Sequence, residues 1–137
     1  MSALYDSFVE AYLTGAADAV DFDTADIRAI LINTAAYSLD LAAHDYLDDI
    51  PAGARVKVCS TLTVTRHGRA IDLIDASFTG VSGATVSAIV VYAHTGTDST
   101  SRLIAYIDAA TSGLPVTPSG GTITVVWAGT PDYVFSL

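Results

Sequence analysis

At 137 residues and 14.2 kDa the chain has room for one domain with a real core. Scaling gives roughly 6,800 Å² of folded surface against about 20,600 Å² unfolded. Fifteen acidic residues stand against six basic ones, a net charge of −9 that repels phosphate backbones and anionic membranes.

The six cations, Arg28, Arg55, Lys57, Arg66, Arg69 and Arg102, are scattered. Charged residues make up only 15% of the chain, against about 25% in a typical soluble domain, which points to surface covered by a protein partner. Cys59 is alone, so neither an internal disulfide nor a cysteine-based zinc site is available. No apolar run reaches the ~18 residues of a membrane span. The N-terminus lacks the basic and apolar regions of a signal peptide, so synthesis in a cytoplasm without that export route is expected.

Along the chain, Leu4, Phe8 and Tyr12 recur every fourth residue, with Tyr5 and Leu13 widening the stripe. This spacing predicts a helix over 3–14, with Ser2 as its N-cap and Gly15 as its left-handed stop. Residues 15–26 are small and acidic and read as a connection. Ile27–Ile32 is β-branched and predicts a buried strand. A second short helix is expected around 42–48, ended by Pro51-Ala52-Gly53.

From Arg55 to Val64 the pattern alternates, with Val56, Val58, Leu62 and Val64 on one face and Lys57, Cys59, Thr61 and Thr63 on the other. A turn at 66–69 leads into a returning strand over 70–78. Further strands are predicted over 85–94, 102–107, 121–127 and 133–137, separated by polar loops. Period-two spacing places Ile89, Val91, Ile104, Tyr106, Val125 and Trp127 in the core. About seven antiparallel strands with one N-terminal and one second short helix imply a mostly-β single domain over 1–137, a β-sandwich or barrel.

A search for chemistry returns little. His44, His67 and His94 are isolated, with no metal-ligand spacing. Asp21, Asp23 and Asp26 form one acidic group, and Asp40, Asp45, Asp48 and Asp49 another. Counted from Asp21, however, the sixth and twelfth positions are Asp26 and Ile32, where a calcium loop needs Gly and an acid. Capping and solvated-loop roles are the expectation. Asp72 and Asp75, three apart on a strand, point to opposite faces and make a poor acid–base pair. No nucleophile elbow or phosphate-loop lysine is present. No catalytic, cofactor-binding or metal-ligating residue is assigned, and a non-enzymatic protein without cofactor is expected.

Several segments, taken in order, carry a resemblance. They are residues 3–8 (ALYDSF), 26–31 (DIRAIL), 43–51 (AHDYLDDIP), 93–97 (AHTGT), 101–108 (SRLIAYID), 113–121 (GLPVTPSGG), and the closing stretch from Trp127 to Phe135-Ser136-Leu137. This order resembles a family of small virion proteins encoded among the head and tail genes of tailed bacteriophages, and it covers nearly the whole chain. The resemblance implies a structural protein of the particle, most simply a capsid decoration or cement subunit on the outside of the head. It implies as partners the major capsid protein, copies of itself, or both, without nucleic acid or membrane. Two other readings stand beside it: a tail-tube or tail-tip component, and a glycan-binding module using exposed aromatics. An interface on the N-terminal stripe is expected through Leu4, Tyr5, Phe8 and Tyr12, docked on a neighbouring subunit or on the domain's own sheet edge.

Overall fold

A computed structural model describes residues 2–108, 114–127 and 134–136. In chain order its elements are β1 (Ser2–Leu4), α1 (Asp6–Thr14), β2 (Asp26–Ile32), β3 (Arg55–Val58), β4 (Val64–His67), β5 (Ala70–Leu73), β6 (Ala76–Phe78), β7 (Ala88–His94), β8 (Leu103–Ile107), β9 (Ile123–Val125) and β10 (Phe135–Ser136). All the strand pairs are antiparallel. They form a five-stranded sheet in the order β1-β8-β7-β2-β3, a three-stranded sheet β10-β5-β4 and a two-stranded sheet β6-β9. The expected mostly-β fold is present, and its sheets do not close into a barrel.

The five-stranded sheet is covered on both faces, which is why its central strands read as unbroken apolar runs. Side chains alternate along a strand. On β2, Ile27, Ala29 and Leu31 enter one core, and Ile30 and Ile32 enter another on the opposite face. On β7, Ile89, Val91 and Ala93 oppose Ala88, Val90 and Tyr92 in the same way. The first core is closed by α1 and the smaller sheets, through Phe8, Ile71, Leu73, Ala76, Phe78 and Phe135. The second is closed by the 33–54 connection, through Tyr37, Leu47, Ile50 and Ala54. Where Val91 faces Ala105 but Tyr92 faces Leu103, Ile104 is the extra residue of a bulge. The bulge lets Ile104 and Ala105 both enter the first core.

Of the six expected core residues, Ile89, Val91, Ile104, Tyr106 and Trp127 are buried, and Val125 is half-buried. The tight hairpin between β4 and β5 is a two-residue Gly68-Arg69 loop, closed by the His67–Ala70 pair. Gly68 sits at φ +64°, a dihedral that favours glycine.

Four local expectations are corrected. The N-terminal helix begins at Asp6, because residues 2–4 extend the main sheet, Ala3 pairing with Tyr106 and Leu4 with Ala105. Ser2 therefore does not cap the helix; Tyr5 holds that position, its N–H still bonded to the Ile104 carbonyl at 3.0 Å. Gly15 does stop it, at φ +64°.

The second helix is reduced to one turn, with His44 N–H to Asp40 O at 3.0 Å, and a 3-10 segment Leu47–Asp49. Between them the backbone is drawn out beside β8: Leu47 N–H donates to Ser101 O at 2.9 Å and Leu103 N–H to Asp45 O at 3.0 Å.

The 55–64 run is not one regular strand. A register shift between β2 and β3 breaks its parity, so Val58 is exposed while Cys59 is buried beside Ala29. The returning 70–78 strand splits at Ile74-Asp75 into β5 and β6, which belong to different sheets. Part of the expected 133–137 strand is present as β10; Tyr133 and Leu137 lie outside the described residues, as does the 128–132 turn.

Candidate functional site

The four N-terminal residues expected at an interface occupy different environments. Leu4 is half-buried against the first core. Tyr5, the next residue of an extended segment, points the other way and is fully buried in the second core. Its hydroxyl donates to Tyr37 Oη at 3.0 Å. Tyr37 in turn donates to His44 Nδ1 at 2.8 Å, a nitrogen that also accepts the Asp40 N–H at 3.3 Å. Burial pushes the Tyr5 phenol far above its ordinary range.

Phe8 is fully buried at the centre of a ring cluster, with Tyr12, Phe22 and Phe135 centred 5.3, 5.9 and 6.0 Å away. Tyr12 is 37% exposed, and Leu13, beside the expected stripe, is 82% exposed. In the single chain the stripe is thus largely internal, and what it presents outward lies at the C-terminal end of α1.

The segment after α1 wraps back over that end. Val20 is buried and Phe22 half-buried against the first core, and the Tyr12 hydroxyl donates to the Val20 carbonyl. Asp18 anchors the segment at one end. Its carboxylate accepts from the Tyr46 hydroxyl at 2.7 Å and from Arg102, whose guanidinium also donates to Tyr46 Oη at 2.9 Å and to Ser7 O at 3.2 Å. Arg102 is only 7% exposed, and it lies 4.8 Å over the Tyr46 ring. Tyr46 and Arg102 hold the Asp18 carboxyl below the usual carboxylate range. At the other end Asp23 pairs with Arg66 of β4 at 2.9 Å.

Between α1, this segment and β4 lies an open groove of about 310 Å³. Its floor is Tyr12, Val20 and Phe22, and its rim is Asp21, Asp23 and Arg66. The Tyr12 and Phe22 rings are parallel to within 2°, with centroids 6.4 Å apart. By sequence alone 15–26 reads only as a small, acidic connection. The available signal was Val20-Asp21-Phe22-Asp23, where apolar residues alternate with acids.

Several other titratable groups have structural partners. Asp21 Oδ1 accepts Asp23 N–H, Asp40 Oδ1 accepts the Ala42 and Ala43 N–H groups, and Asp49 Oδ2 accepts those of Asp45 and Tyr46. Asp21, Asp40 and Asp49 therefore cap turns, a role expected of the acidic groups. Asp26 binds Arg28 and Thr61; Asp75 accepts Trp127 N–H at 3.2 Å. Burial pushes the Cys59 thiol up, and Sγ accepts the Ala29 N–H. His94 ends β7 opposite Asp26. Among the described residues no group of three or more His, Cys, Asp or Glu is placed to hold a metal ion. No helix among them is long and apolar enough to cross a membrane.

No protein-family model matches the chain, and no curated protein matches it.

Proposed function

We propose that this chain is a non-enzymatic structural protein of a tailed-phage particle, a decoration subunit bound to the outside of the head. The observation that carries the reading is the ordered set of segments resembling small phage virion proteins. Three of these are framework pieces: 26–31 lies in β2, 101–108 contains β8, and 43–51 covers the second core. The surface chemistry fits the same role. Arg28, Arg55, Arg66 and Arg102 are each committed to an aspartate of the chain itself, leaving an acidic exterior. Such an exterior suits a protein that faces solvent and meets basic protein surface rather than packaged nucleic acid.

The major capsid protein, copies of this chain, or both are the partners in this reading, with the protein located in the virion. A density map of the particle tests it. Copies of this fold distributed over the head support decoration. Copies confined to the tail would replace it with a tail-tube or tail-tip role, and absence from the particle would refute both.

A further inference from the structure

We propose that the groove between α1, the 15–25 segment and β4 receives an arginine or lysine side chain from a basic segment of a partner protein. This goes beyond the assignment to a phage particle and does not depend on it. The floor is apolar and aromatic: Tyr12 and Phe22 present parallel rings, and Val20 lies beside them. The rim carries two carboxylates, Asp21 and Asp23, against one guanidinium, Arg66, which Asp23 already holds at 2.9 Å. Among the described residues no cation pairs with Asp21.

A long cationic side chain matches both parts of this surface. Its methylene stem covers the rings, and its charged head stays in water beside Asp21. The ring faces add a favourable quadrupole for the cation. A purely apolar segment would strip water from Asp21 without replacing its hydrogen bonds. An anion would meet both rim carboxylates on a chain of net charge −9. The groove is also built rather than incidental, since its outer wall is tied down at Asp18, Val20 and Asp23.

The test uses the full chain, isotope-labelled, titrated with hexa-arginine, hexa-lysine or hexa-glutamate peptides and followed by NMR. The expected result is saturable movement of the Tyr12 and Phe22 ring signals and the Asp23 amide with the two cationic peptides, and none with hexa-glutamate. Asp21→Asn keeps the oxygen that accepts the Asp23 N–H but removes the charge. It should weaken binding about fivefold, the upper range for one exposed ion pair. Phe22→Leu, which keeps an apolar side chain on the floor, should weaken it about threefold through the lost ring face. Asp48→Asn, an exposed acid outside the groove, should change it by less than about 1.5-fold.

Equal weakening by Asp21→Asn and Asp48→Asn would reduce the effect to general acidic attraction and overturn the proposal. Peptide shifts mapping away from the groove would do the same. So would movement of the same ring signals by neutral oligosaccharides but not by cationic peptides, which would make the groove a glycan platform.

Discussion

Truncating Phe8 to alanine measures how firmly α1 belongs to its own domain. The ring is fully buried and meets three other rings edge-on in one cluster. Removal of a buried phenylalanine costs about 3–5 kcal/mol, and the lost ring pairs place this site in the upper part of that range. Unfolding entropy near 2.1 cal/mol/K per residue amounts to about 0.29 kcal/mol/K for this chain. A loss of about 4 kcal/mol then lowers Tm by about 14 °C.

Differential scanning calorimetry reads that shift directly. Leu13→Ala, four-fifths exposed on the same helix, is the control and should move Tm by less than about 2 °C. A Phe8→Ala shift within about 3 °C of wild type would refute the reasoning. It would mean that the helix is not anchored in this core and that its stripe is free for a neighbouring subunit.

Three further outcomes follow from titratable groups elsewhere in the fold. Cys59 should resist a thiol reagent at pH 8 in the native protein and react quickly once urea unfolds it; fast native reaction would contradict its burial against Ala29. Burial raises the Tyr5 phenol and pushes Tyr92 up to about 12. Their stabilisation is present below the ordinary phenol value near 10 and is lost as pH rises through the folded values. Absorbance at 295 nm should therefore show alkaline unfolding coinciding with late phenolate formation, and free titration of all the tyrosines near pH 10 in folded protein would contradict this. Asp18 behaves in the opposite sense: its folded carboxyl is depressed by Tyr46 and Arg102, so its contribution is present above about pH 3.9 and is lost as pH falls through the folded value. Urea unfolding from pH 6 to pH 3 should show a shallower acid loss for Asp18→Asn than for wild type, and identical slopes would mean that the clasp is not formed.

The apolar runs of β2, β7 and β8 made the sheet legible from the chain alone, because central strands covered on both faces need apolar side chains in both parities. Four of the six named core residues, Ile89, Val91, Ile104 and Tyr106, fall inside for that reason. Gly15 was legible as a helix stop, since a left-handed residue ends the ladder and glycine adopts it without steric cost. The capping by Asp21, Asp40 and Asp49 was legible because short carboxylates compete for free backbone N–H groups. The ordered segments behind the phage reading likewise belong to the chain itself.

Other features depended on contacts between residues far apart. Ala3 and Leu4 fit a helical stripe equally well, and only the edge of β8 draws them into a strand. Residues 45–47 lose their helix to backbone pairing with 101–103, more than fifty positions away. The β3 bulge turns Cys59 inward and Val58 outward, a parity that no periodicity reports because one inserted residue exchanges the faces. The groove is the furthest from sequence. Tyr12, Phe22 and Arg66 meet only because Asp18 finds Arg102 and Tyr46 across the fold, folding an acidic connection back over the end of α1. Local propensity decides which strands exist; which residues share a surface is decided by long-range pairing and by the need of a buried guanidinium for a carboxylate.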